Sequence, residues 1–136
     1  MNKSTKIYVF LAGITLVLIG AYISLTPFQY LSQFDLTNEI SVELMSEMRG
    51  MGGALLVFGI FAFMATFVEQ IAKTALTISI LIFTSFFMFR CIGVVIDGVP
   101  SHAILIALGI EMLFAICGIL IWLKTSIIAK KAERHA

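Results

Sequence analysis

An all-α fold, a four-helix transmembrane bundle, is predicted by three features of this sequence. Hydrophobic residues make up 60% of the 136 and charged residues 12%, against about a quarter charged in an ordinary soluble domain. The apolar residues fall in four long runs separated by short polar breaks, where a soluble core would show amphipathic stripes. Each run is close to the roughly 20 residues that a helix needs to cross a hydrocarbon slab about 30 Å thick. The chain therefore reads as one membrane domain, 1–136, whose solvent is the lipid bilayer. A formal net charge of +1 leaves no electrostatic footprint for nucleic acid.

The first span, Ile7 to Leu25, is uncharged throughout. Lys3 and Lys6 before it, and Gly20-Ala21 near its end, give it some likeness to a secretory signal. The apolar run continues through Tyr22 to Leu25, longer than a signal's apolar region, and Ile19 stands where a cleavage site wants a small residue, so it reads as a retained helix. Pro27 to Leu36 follows at once, with Phe28, Tyr30, Leu31 and Phe34 among Gln and Ser. That mixture suits the headgroup level and predicts a lid over the outer mouth of the bundle. The second span covers Met51 to Val68, the third Ala75 to about Ile96 and the fourth Ala103 to Leu123.

Basic residues sit at the N-terminus (Lys3, Lys6), between spans two and three (Lys73) and at the C-terminus (Lys124, Lys130, Lys131, Arg134). The other two loops hold Asp35, Glu39, Glu43, Glu47 and Asp97. The positive-inside rule then predicts a multi-pass protein of the cell inner membrane with both termini cytoplasmic and loops one and three outside.

Two ionisable residues, Arg90 and Glu111, lie inside apolar runs, and a bilayer tolerates them only where something offsets their desolvation. Arg90 lies about 9 Å before the outer end of span three and Glu111 about 12 Å past the start of span four, at 1.5 Å per residue. Asp97-Gly98-Val99-Pro100-Ser101 reads as a tight turn, so spans three and four are antiparallel neighbours and the two charges share a depth. Ala107, Ala115 and Gly118 share the face of Glu111, while Phe83, Phe86, Gly93 and Asp97 share the side of Arg90. An Arg90–Glu111 ion pair follows. In the same turn Ser101 is placed to cap span four, and His102 beside it reads as an interfacial anchor.

Near the outer end of span two, Glu39, Glu43 and Glu47 recur every fourth residue and form an acidic stripe if the helix extends past the membrane. Arg49 lies about 200° around from Glu47, so one helix cannot aim both inward. Gly50, Gly52 and Gly53 allow a close helix crossing or a helix break at the interface.

Metal chemistry has weak support. Carboxylate bundle sites use a Glu-x-x-His motif, which is absent, so the acidic residues with His102 read as a solvated face. Met45, Met48 and Met51 at every third position read as flexible packing rather than copper(I) ligands. Cys91 and Cys117 are separated by roughly 13 Å in depth, beyond disulfide reach. No Cys-x-x-Cys, Gly-x-Ser-x-Gly, His-Glu-x-x-His or phosphate loop occurs, so no catalytic residue, cofactor or metal is assigned.

Glu47-Met48-Arg49-Gly50-Met51-Gly52-Gly53, Phe89-Arg90, Asp97-Gly98-Val99-Pro100-Ser101 and Glu111 in the last span, taken in this order, resemble the bacterial membrane family known as domain of unknown function 4345. The likeness runs from Tyr22-Ile23-Ser24-Leu25-Thr26-Pro27 through Trp122-Leu123-Lys124, with Met48 standing where the family favours Leu. The resemblance implies a small four-helix membrane protein and supplies no reaction; DoxX-like four-helix proteins are a looser comparison. The residues themselves predict an outward-facing polar pocket lined by Arg90, Glu111, Asp97 and either Arg49 or Glu47, which binds or moves a small or lipid-like molecule. The alternative is an assembly subunit with a membrane-protein partner, in which the buried pair only fixes helix register.

Overall fold

The computed structural model describes residues 2–34 and 40–133. Five α-helices follow in order: α1 Lys3–Leu25, α2 Pro27–Ser32, α3 Val42–Met64, α4 Ala72–Asp97 and α5 His102–Glu133. The described residues include no strand. Four of these helices are long and apolar enough to cross a membrane, as the composition predicts. Successive long helices run antiparallel, so the N-terminal end of α1 and the C-terminal end of α5 share one end of the bundle, and α2 lies at the other.

Asn2 caps α1 by accepting from the Ser4 N–H, and Ser41 caps α3 by accepting from the Leu44 N–H at 3.1 Å, with Glu43 in the first turn of α3. That cap and a carboxylate at the positive end of the helix dipole start α3 at Val42, ahead of the apolar run that begins at Met51. The helix also stops at Met64, short of Val68, because the chain reverses within 65–71 through a 3₁₀ turn at Glu69–Ile71. At the α4–α5 turn the reversal falls on Gly98, whose φ of 98° is open to glycine at no steric cost. The Ser101 main-chain carbonyl, rather than its hydroxyl, starts α5 by accepting from the N–H groups of Ile104 and Leu105.

In lipid, apolar surface gains little by leaving its solvent, so helices associate through close van der Waals packing and polar contacts. The contact of α1 with α3 is the extreme case. Gly13 and Gly20 on α1, and Gly52 and Gly59 on α3, are each seven residues apart, which keeps them in one seam along two antiparallel helices. A Cβ on Gly20 would lie 2.4 Å from the Leu56 nitrogen and 2.7 Å from the Gly52 carbonyl oxygen. One on Gly59 would lie 2.6 Å from the Val17 nitrogen, and one on Gly13 2.6 Å from the Phe63 nitrogen. Backbone meets backbone here, with no room for any side chain. Gly50 and Gly53, by contrast, have nothing within 4 Å of an added Cβ. The three glycines after Arg49 therefore neither break the helix nor act together, and Gly52 alone makes the crossing.

Elsewhere larger side chains fill the space. Tyr8, Val9, Leu16, Leu76 and Phe83 are buried with small residues Ala12, Ala75 and Ala115 between them. Phe83 of α4 stacks on Phe114 of α5 at 4.4 Å and 12°, and Tyr8 of α1 meets Phe114 edge-on at 6.0 Å. The Tyr8 hydroxyl donates to the Phe114 carbonyl at 3.1 Å, and Gly118 leaves room for that ring, since a Cβ there would lie 2.5 Å from the hydroxyl oxygen. These three rings tie α1, α4 and α5 together in the half of the bundle nearer the termini.

The seam gives a two-sided prediction. Gly20→Ala forces α1 and α3 apart and is expected to cost about 1–3 kcal/mol, the usual penalty of overpacking. Gly53→Ala meets open space and is expected to be neutral or to stabilise by up to about 1 kcal/mol through helix propensity. Thermal unfolding of both variants in the same detergent checks the pair.

Candidate functional site

A cavity of about 310 Å³ lies between the helices in the half of the bundle nearer α2. Its walls are apolar: Leu16 and Ile19 from α1, Met51 and Leu55 from α3, Phe83 and Phe86 from α4, and Ile106 and Ile110 from α5. Two charged side chains line it, Arg90 and Glu111. Its size is at the lower end of small-molecule pockets, and an apolar lining with a few convergent polar groups is their common make-up.

Arg90 and Glu111 meet as depth and face predict. The short turn at 98–101 makes α4 and α5 an antiparallel hairpin, and Arg90 Nε donates to Glu111 Oε1 at 2.9 Å. Glu111 is buried, with Ala115 and Gly118 on the same buried face of α5. The guanidinium also lies over the Phe86 ring, 5.8 Å from its centroid, on a face that stabilises a cation. The pair is incompletely satisfied. Glu111 Oε2 is buried without a hydrogen-bond partner among the described residues. Only Nε of the guanidinium is engaged by protein, so the planar fork of Nη1 and Nη2 is free of protein acceptors among the described residues. A charge-assisted pair holding one atom of each partner, in a wall facing open space, leaves hydrogen-bonding capacity for something else.

The remaining residues expected at the site lie elsewhere. Asp97 is exposed at the tip of α4, two turns beyond Arg90; the helix aims it along the right side without bringing it down to the cavity. Arg49 Nη1 donates to the Ser24 carbonyl at 2.7 Å. It thereby caps the last turn of α1, where main-chain carbonyls lack helical partners and a cation meets the negative end of the dipole. Glu47 is exposed and does not line the cavity. Glu39, which would begin the acidic stripe, lies outside the described residues, as do Asp35, Leu36 and Arg134. Glu43 and Glu47 are both exposed, and no group of three His, Cys, Asp or Glu that could hold a metal is found among the described residues. Cys91 and Cys117 are free thiols.

The segment after α1 contributes residues to the cavity beyond the charged set. Tyr30, Gln33 and Phe34 line it together with Tyr22 at the end of α1. Tyr22 and Tyr30 meet edge-on at 6.0 Å, and Tyr30 and Phe34 at 5.3 Å. Gln33 Nε2 donates to the Tyr22 hydroxyl. Pro27, at the start of α2, and Leu31 are buried and anchor the short helix. These rings form a roof, consistent with a lid at the mouth of the bundle.

Four apolar helices around a charge-bearing cavity define a multi-pass membrane protein. The chain belongs to the family described as Domain of unknown function (DUF4345), which matches residues 4–123 and so reaches each of the four long helices. No curated protein and no solved structure matches the chain.

The ion pair yields a prediction by double-mutant cycle. Arg90→Met or Glu111→Met alone strands the other charge in an apolar wall and is expected to destabilise by about 3 kcal/mol. The double variant removes both charges together and is expected to recover most of that loss. Unfolding midpoints of the four proteins measure the coupling.

Proposed function

We propose that this multi-pass protein binds a small or lipid-like molecule in the cavity beside Arg90, either to hold it or to hand it on. The observation that carries this reading is the half-used ion pair: an arginine fork and a buried carboxylate oxygen without protein partners among the described residues, in the wall of an otherwise apolar space. A pair serving only helix register would be better satisfied by a closed, fully hydrogen-bonded contact, because every unmade bond in a low-dielectric wall is a cost. Arg90 recognises an anionic or strongly polar group on the ligand, and Glu111 holds the guanidinium in place and exchanges a proton or hydrogen bond with the same molecule.

The positive-inside rule orients the site. With Lys3, Lys6, Lys73 and Lys124 at one end and Glu43, Glu47 and Asp97 at the other, both termini lie in the cytoplasm of an inner-membrane protein and the α2 roof faces outward. The cavity is then an outward-facing pocket.

A second reading is an assembly subunit. Gly50, Gly53 and Gly109 lie on helix surfaces with nothing within 4 Å of an added Cβ, and small residues left open on a spanning helix let another helix approach. Purification from native membranes separates the two readings. A co-purifying small molecule or lipid, identified by mass spectrometry and lost in Arg90→Ala, is the expected result; a stoichiometric protein partner retained in Arg90→Ala would favour assembly. Orientation is checked separately. In a Cys91→Ser/Cys117→Ser background, Asp97→Cys is expected to react with an impermeant maleimide added outside intact cells, and Thr74→Cys only after the cells are opened.

A further inference from the structure

Resting on the reading of the cavity as a ligand site, we infer that its ligand is a single-chain amphiphile with an oxyanion head, a carboxylate or a phosphate, and that it reaches the site sideways from the lipid. Two independent features of the cavity wall point to the sideways route. The α2 end is spanned by rings, because Tyr22, Tyr30 and Phe34 meet edge to face in succession and Gln33 is bonded to the Tyr22 hydroxyl, while Tyr22 itself, 43% exposed and one turn beyond Ile19, stands at the margin of that roof. The side between α1 and α5 is not covered by any of the described residues. Ile19 lines the cavity and is 43% exposed, and across from it Ile106 and Ile110 line the cavity and are 54% and 41% exposed. Side chains that face both a cavity and the exterior are the edges of an opening. The contacts that join α1 to α5 lie below it, where Tyr8 meets Phe114 and Gly118.

The chemistry of the opening selects what passes. Its edges are Ile19, Ile106 and Ile110 with the Tyr22 ring at the outer end, so a free ion in water gains little there, while a hydrocarbon chain moves from lipid to a wall of similar character. The head is selected inside. Arg90 presents two Nη groups in one plane, with Nε held by Glu111, and a planar fork of this kind matches the two oxygens of a carboxylate or phosphate. A charged head drawn below the interface is costly unless polar groups meet it; the Arg90 charge is shared with Glu111, so the head takes the free Nη groups and shares one proton with Glu111 Oε2, which has no partner among the described residues. The volume, about 310 Å³, is small for a ligand pocket and holds a head with part of one chain, the remainder trailing through the opening.

The test uses the full-length protein in phosphatidylcholine nanodiscs and a hexadecanoate bearing a mid-chain diazirine. Photolysis is expected to place adducts on Ile19, Ile106 or Ile110. Palmitate or hexadecyl phosphate is expected to compete, the stronger of the two naming the head, and hexadecanol to compete at least about tenfold less well. Arg90→Lys keeps the charge and the pair but loses the fork, and is expected to weaken labelling about tenfold at an unchanged unfolding midpoint. Adducts confined to Tyr30 and Phe34 would overturn the sideways route. Equal competition by hexadecanol, or undiminished labelling of Arg90→Lys, would overturn the oxyanion head while leaving the cavity an amphiphile site. Adducts only on the outward-facing Leu18 and Leu113, with no competition by any of the three, would remove the cavity as a ligand site and this inference with it.

Discussion

The backbone contact between α1 and α3 is the constraint from which the rest of the bundle follows. Four glycines let two antiparallel helices touch main chain to main chain, at a separation no other residue permits. Two helices drawn together that tightly leave α4 and α5 to pack on what remains of their surface with much larger side chains, among them Phe83 and Phe114. Rings cannot fill the space evenly on both sides of such a narrow pair. Near the termini Tyr8, Phe83 and Phe114 close it; nearer α2 it stays open, and the cavity is the volume left over.

Polar contacts serve different purposes at different levels of this bundle. Tyr8 on the Phe114 carbonyl and Arg49 on the Ser24 carbonyl each satisfy one donor against main chain, and they join α1 to α5 and α3 to α1. Arg49, like Arg90, engages a single nitrogen, but it is exposed and lies outside the cavity lining, so its other donors face the exterior. Arg90 and Glu111 join α4 to α5 through one bond and keep other atoms unused at a cavity wall. The same residue type thus ties helices at the surface in one place and lines an internal space in another, and what separates the two is where the unused donors face.

Much of this architecture was legible in the residue order. Run length gave the number of spanning helices, and the tight turn around Gly98 made depth counting valid across it, which is why Arg90 and Glu111 could be matched from sequence. The same helical wheel misled at Asp97: it gives an azimuth but not a reach, and a side chain two turns farther along ends at the tip instead of in the cavity. Arg49 was illegible because its acceptor is a main-chain carbonyl, which carries no signature in the side-chain sequence. The glycine seam did leave a signature, seven-residue spacing repeated on two segments, but the paired glycines lie some 40 residues apart and Gly50 and Gly53 mask the one that matters. The two charges pointed to a pocket, but its volume and apolar lining had no signal, because empty volume is a difference between packed shapes and belongs to no residue.

The seam has one further consequence. Glycines repeated at seven residues on both helices resemble a ruler with only two marks: sliding α3 along α1 by one interval, roughly 10.5 Å, seats one of its glycines against backbone again but brings Met45 or Thr66 to the place of the other. Close contact therefore fixes how near the helices lie and also sets a steric cost on the slipped register, where half of the seam is retained. The Arg49 bond to Ser24 adds a polar pin to the same register. A chain inserting into the bilayer one helix pair at a time would find proximity first and alignment second, with a long-lived slipped pair as its characteristic folding error.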